Sequence, residues 1–219
     1  MLSQAEENYI KTIFAIESEL STGVSTNLIA EKMQTKASSV TDMLQKLAEK
    51  KLVDYRKYQG VKLSGKGKKM AASIVRRHRL WETFLVEKLH FSWDEIHDVA
   101  EQLEHIQSEK LIDQLDDFLG FPRVDPHGDP IPDKDGNITK RNKVKLSSLK
   151  ENEESILLSV KNASDDFLRY LDTKNIALGS SIKIIAIEPF DGSVEIETNS
   201  ERIIISAHVA ENLYLKNLK

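Results

Sequence analysis

The chain has 219 residues, 40% of them hydrophobic and 30% charged, and no cysteine; this fits one large or two to three small soluble domains and excludes disulfides, zinc ribbons, iron–sulfur clusters and thiol catalysis. No apolar run approaches the roughly 20 residues of a membrane span, and the opening MLSQAEENYI lacks the basic region and apolar core of a signal peptide, so a cytoplasmic protein without membrane contact is expected. The net charge of −4 conceals an asymmetry: residues 1–79 hold 15 Lys/Arg against 8 Asp/Glu, residues 80–135 hold 4 against 15, and the remainder is balanced.

A basic first third suits a polyanion such as DNA. Residues 4–20 place Tyr9, Ile13, Ile16 and Leu20 at helical spacing, and Ser21-Thr22-Gly23 breaks the pattern. Ser25 or Thr26 suits the cap of a short second helix carrying Leu28, Ile29, Ala30 and Met33. A turn through Gln34-Thr35-Lys36 leads to a third helix near 38–50, with Val40, Met43, Leu44 and Leu47 on its inner face. Two short helices joined tightly, the second opening on small polar residues, predict a helix-turn-helix. Apolar and basic residues alternate from Val53 to Leu63 around Gln59-Gly60, which predicts the two-stranded wing of a winged helix. A long helix follows from Ser64 to about Leu89, with Arg76, Arg77 and Arg79 expected on a solvated face and Trp81 and Phe84 in a core or dimer interface.

One or two helices are expected between Ser92 and Leu119. Residues 120–142 contain four of the five prolines and read as a linker. Beyond it, strands are expected at Leu146–Leu149, Ile156–Val160, Ile182–Ile187, Val194–Glu197 and Ile203–Ser206, a short helix at Asp165–Leu171, and a closing helical turn over Ala207–Leu215. This is a small barrel-like β module.

The acidic middle carries the chemistry. His97, Glu101 and His105 recur every four residues and Glu104 lies at i+3 from Glu101, so one helix would present all four on one face. His78 and Glu82 form a second i, i+4 pair on the preceding helix, and crossing the two helices would gather three imidazoles and three carboxylates. Nitrogen and oxygen donors without thiolate suit Mn2+ or Fe2+. The competing reading is an ordinary solvated helical face. Asp125 and His127 fall in the Pro/Gly loop, where such residues also form turns.

Several segments carry a family resemblance: Glu7-Asn8-Tyr9-Ile10-Lys11-Thr12-Ile13, Ser38-Ser39-Val40-Thr41, Leu63-Ser64-Gly65-Lys66-Gly67, Arg77-His78-Arg79-Leu80-Trp81-Glu82, Glu101-Gln102-Leu103-Glu104-His105 and Pro126-His127-Gly128. Together they resemble the metal-dependent repressors of the diphtheria toxin repressor and manganese transport regulator family, in the longer form with a C-terminal SH3-like ferrous-transport-associated domain. The resemblance implies a mainly α protein with a smaller β part. Its divisions are a winged helix-turn-helix DNA-binding domain (1–72), a helical dimerisation and metal-binding domain with its linker (73–142), and an SH3-like β-barrel domain (143–219). It further implies a homodimer that binds a palindromic operator in double-stranded DNA, with divalent metal as co-repressor. One implied metal site takes Asn8, Glu101, Glu104 and His105. The other takes His78, Glu82 and His97 with Asp125 and His127, completed by Asp166 or its neighbour Asp165; His78 can instead serve the first site. Iron-sensing members carry cysteine at the position of Glu101, and glutamate there matches manganese sensors, so Mn2+ is expected with Fe2+ as the alternative. Asn8 and Lys11 stand where compact manganese sensors have aspartate and glutamate, which replaces two carboxylates by an amide and a cation.

Lys36, Ser38, Ser39, Thr41 and Asp42 open the recognition helix, where side chains reach bases and phosphates. Lys46 on that helix and Lys57 and Gln59 on the wing suit phosphate contacts. Two other functions compete with the metal-gated repressor. One is a metal-independent winged-helix regulator with a structural acidic cluster. The other is a di-metal carboxylate enzyme, which expects Glu-x-x-His on two helices where this chain has one carboxylate-rich helix.

Overall fold

The computed structural model describes residues 2–20, 23–56, 60–139, 141–161 and 164–217. The chain divides into two compact units, one of residues 1–81, 101–117 and 131–138, the other of residues 82–100, 118–130 and 139–219.

The first unit opens with α1 (Gln4–Glu19), whose start is fixed by a capping box. The Glu6 backbone N–H donates to Ser3 Oγ, and the Ser3 N–H donates to Glu6 Oε2. Helix α2 (Thr26–Lys32) takes Ser25 as its cap, with the Leu28 N–H donating to the hydroxyl. Helix α3 (Ala37–Glu49) follows after a four-residue turn and has no side-chain cap. Ile10, Ile13, Ile29, Val40, Leu44 and Leu47 are fully buried in one core, so the helical stripes read from the sequence are the faces that pack. Strands β1 (Val53–Arg56) and β2 (Gly60–Leu63) pair antiparallel from Val53↔Leu63 to Arg56↔Gly60. Val24 adds an antiparallel bridge to Val61 that no sequence pattern announced. Helix α4 (Gly65–Leu89) then runs 25 residues.

Helices α5 (Ile96–Leu103) and α6 (Glu109–Phe118) fill the region expected to be helical. The expectation for α5 is corrected at its end: Glu104 and His105 lie in a turn beyond the helix. The Glu104 carbonyl, which a continued helix would pair with the amide four residues on, instead accepts from Arg77 Nε at 2.5 Å.

The second unit carries a six-stranded sheet in the order β3-β8-β4-β5-β6-β7, antiparallel throughout. Its strands are β3 (Lys143–Lys145), β4 (Glu154–Val160), β5 (Ser181–Ile187), β6 (Val194–Thr198), β7 (Glu201–Ile205) and β8 (Leu213–Lys216). Helices α7 (Asp165–Thr173) and α8 (Ala207–Asn212) join the strands. Leu157, Leu168, Ile182, Ile184, Ile196 and Leu215 are fully buried in its core. Two expectations are corrected. Leu146–Ser148 is a 3-10 turn, not a strand, which puts Leu146 and Leu149 on the same inner side at i, i+3 spacing. The closing segment is a helix followed by a strand, because Leu213 and Leu215 alternate inward on either side of Tyr214.

Candidate metal centre

In the first unit, α1 and the turn after α5 meet in a buried polar network. Glu104 is fully buried, and Lys11 Nζ donates to both of its carboxylate oxygens at 2.7 and 2.8 Å. His78 Nδ1 lies 2.6 Å from Glu104 Oε2. Burial pushes the Glu104 carboxyl up, but the His78 hydrogen bond and the Lys11 charge outweigh it and hold it below the usual carboxylate range. Glu101 is more exposed and lies 3.6 Å from the same ammonium.

A second carboxylate orders the other side of this network. Glu7 is 2% exposed. Its Oε1 accepts from Arg77 Nη2 and Gln107 Nε2, each at 3.1 Å, and its Oε2 lies 2.6 Å from His105 Nδ1. An ionised carboxylate only accepts, so this contact places the proton on Nδ1 and leaves Nε2 as the imidazole's ligand atom. Beside Glu7, Asn8 Oδ1 is buried with no hydrogen-bond partner among the described residues, an acceptor in want of a cation or donor. Glu104 and Glu101 thus face Lys11, and His105 faces Glu7.

The second unit holds a tighter grouping. Glu82, Asp125 and His127 are 2%, 5% and 5% exposed, and each offers a ligand atom within 4.8 Å of the others. His97 Nδ1 lies 3.7 Å and His127 Nδ1 3.8 Å from Glu82 Oε1, too long for hydrogen bonds. His127 Nε2 is 3.0 Å from the Trp93 carbonyl, which takes a proton and leaves Nδ1 turned toward Glu82. The Trp93 ring stacks on the imidazole at 6.1 Å between centroids. Asp125 Oδ1 accepts the backbone N–H groups of His127 and Asp129 at 2.9 Å, closing the loop on itself. Gly128 completes that loop at φ +84°, where an added Cβ would fall 1.9 Å from the Leu158 carbonyl oxygen.

Asp166 stands apart from this grouping. Its side chain is 99% exposed on the first turn of α7, and it accepts from Arg169 Nη2 at 2.9 Å. His97 approaches Glu82, and Glu104 approaches His78 and Lys11. The donor sets, two or more carboxylates with imidazole and no thiolate, fit a divalent cation that prefers oxygen and nitrogen.

The sequence reading placed Lys11 at a site position but missed Glu7 and Arg77 as parts of the network around Glu104 and His105. Arg76 and Arg77, expected on a solvated face, are 6% and 8% exposed. Arg76 pairs with Asp116 at 2.7 Å. A buried arginine needs a carboxylate within reach, and no spacing rule in a single sequence pairs residues 70 or more positions apart.

On the nucleic-acid side, Lys36, Ser38, Ser39, Asp42 and Lys46 are exposed along α3. Thr41 is half-buried and its hydroxyl donates back to the Ala37 carbonyl at 3.0 Å. Lys57 and Gln59 lie outside the described residues.

Family models match three consecutive stretches: the iron dependent repressor N-terminal DNA binding domain over residues 1–61, the iron dependent repressor metal binding and dimerisation domain over 64–133, and a FeoA domain over 144–217. The iron-dependent repressor IdeR of Mycobacterium leprae is 31% identical over 131 residues, 60% of this chain and 56% of that protein. The chain thus spans little more than half the length of such relatives. The transcriptional regulator MntR of Oceanobacillus iheyensis is 39% identical over 126 residues, 57% of this chain and 84% of that protein. A solved manganese-dependent transcriptional repressor in complex with manganese superposes with a TM-score of 0.89 at 34% identity, covering 97% of this chain and 100% of that one.

Proposed function

Because the chain belongs to the family of iron-dependent repressors and MntR-type regulators, we propose that it is a metal-dependent DNA-binding transcriptional repressor, acting in the cytoplasm as a homodimer on a palindromic operator. Mn2+ is its co-repressor, with Fe2+ as the alternative; the protein is not an enzyme. The observation that carries this reading is the convergence of buried Glu82, Asp125 and His127 in a chain that also presents an exposed recognition helix. The three-part division at 1–72, 73–142 and 143–219 follows the family.

Glu82, Asp125 and His127, with His97, form one metal site. Asn8, Glu101, Glu104 and His105, with His78, form the other. In both, carboxylates supply charge, and one imidazole in each, His127 and His105, is oriented by a partner on its second nitrogen. A bound ion would supply fixed positive charge opposite these carboxylates. Lys36, Ser38, Ser39 and Asp42 meet base edges and phosphates, and Lys46, Lys57 and Gln59 meet phosphates. The uncapped start of α3 leaves backbone N–H groups for an outside acceptor. Phe118 and Phe121, 63% and 58% exposed, offer apolar surface to a second copy.

The test is binding of labelled promoter DNA by chelator-treated protein, titrated separately with Mn2+, Fe2+ and Zn2+. Mn2+ should raise affinity at least tenfold, and Glu104→Ala should abolish that gain while the protein stays a folded dimer. Equal binding with and without chelator would overturn the reading in favour of a metal-independent regulator.

A further inference from the structure

Lys11 and Asn8 lie three residues apart on α1 and so share a face of that helix. The Lys11 ammonium sits 2.7 and 2.8 Å from the two oxygens of Glu104 and 3.6 Å from Glu101. Its side chain is 19% exposed, whereas that of Glu104 is fully buried. Both carboxylates assigned to one metal site therefore already face a cation that belongs to the chain.

We propose that Lys11 is a tethered competitor, whose ammonium occupies the cation position against Glu104 and Glu101 and thereby sets the metal concentration at which this site fills. The inference rests on the reading of Glu101, Glu104 and His105 as ligands. Glu104 Oε2 already faces both Lys11 Nζ and His78 Nδ1, so a metal ion ligated there competes with partners in place. An ammonium and a divalent ion at that distance repel each other. The four-carbon stem of lysine allows the head group to swing away, as a rigid guanidinium fork would not. Lys11 also stabilises the metal-free protein, because without it the buried Glu104 would keep only His78 opposite its charge. The same side chain thus favours the empty state and opposes the filled one. This opposition separates a competitor from an ordinary ion pair, whose loss would harm both states.

The experiment is titration calorimetry of the full, chelator-treated chain with Mn2+, following the binding event that Glu104→Ala removes. Lys11→Met keeps the stem and deletes the charge, and Lys11→Gln serves as a second neutral variant. Either should bind Mn2+ at least about tenfold more tightly, as expected when a like charge beside the ion is removed, while the metal-free protein melts at a lower temperature. A lower melting temperature with unchanged or weaker Mn2+ binding overturns the proposal. The wild-type protein gives an independent check that needs no variant. Amine acylation of Lys11, read by peptide mass, should quicken when Mn2+ is added, and a rate unchanged or slowed by Mn2+ also overturns it. If Glu104→Ala removes no binding event, the ligand reading itself fails. If that event exists but the neutral Lys11 variants do not tighten it, only the competitor role fails.

Discussion

At the scale of single residues, Glu7 carries more of the site than its type announces. It is a buried carboxylate that joins Arg77, Gln107 and His105, and its hold on Nδ1 determines which nitrogen of His105 faces a ligand. Glu7→Gln keeps the shape but removes the charge that makes this contact strong. We expect a ten- to hundred-fold loss of Mn2+ affinity at the site that includes Glu104, with the far-ultraviolet spectrum unchanged. Unaltered affinity in calorimetry would reduce Glu7 to a packing role. Asp125 works differently, since its backbone-bound Oδ1 fixes a loop that Gly128 alone permits. None of these assignments is visible in spacing, because each depends on which distant chain segment arrives opposite the side chain.

At the scale of elements, local physics governs most of what is seen. The apolar stripes of α1, α2 and α3 and the alternation in β5 and β6 predict their burial, and Ser25 caps α2 as its type and place suggest. Helix α1 adds a charge that tertiary structure enlists. The hydrogen bond from Lys50 and that from the Ser3 backbone hold the Glu6 carboxyl below its usual range. A carboxyl lowered in the folded state stabilises fully above its unfolded value, near 4.5, and that contribution disappears as pH falls through the folded value. Glu6→Gln, which keeps the capping box but removes the charge facing Lys50, should therefore cost up to about 1 kcal/mol at pH 7, the range of a solvent-facing ion pair. The loss should shrink toward zero as pH falls below 4.5 and through the lowered folded value, measured by urea denaturation across pH. A cost independent of pH would show that the ion pair contributes nothing. Elements whose start or end depends on distant partners are the ones misread: α5 stops at Leu103 because Arg77 takes the next carbonyl, and Leu146–Ser148 turns because two leucines seek one core.

At the scale of the whole molecule, metal and stability are linked. Each ion that binds only the folded chain stabilises it by mass action, about 2.7 kcal/mol at a hundredfold excess over its dissociation constant. For a chain of this size that corresponds to a rise of about 5–10 °C in melting temperature. Chelation should lower the melting temperature by that much, and Mn2+ should restore it. A melting temperature indifferent to chelator at saturating metal would argue against binding to the native state. The charge asymmetry along the chain belongs to this scale too. The basic first third carries the exposed face of α3, and the acidic middle supplies Glu82, Glu101, Glu104 and Asp125.

The sequence by itself determined the winged helix, the antiparallel β module, the absence of thiolate chemistry and the pool of carboxylate and imidazole donors. These follow from periodicity, turn residues and composition, which act over a few neighbouring residues. Only the tertiary structure decided how that pool is shared: Glu82 with Asp125 and His127, Glu104 with His78 and Lys11, His105 with Glu7, and Asp166 left to Arg169 in solvent. The reason is electrostatic. A buried charge is tolerated only opposite a partner, and the partner is chosen by the packing of segments up to 98 positions apart, not by their order along the chain.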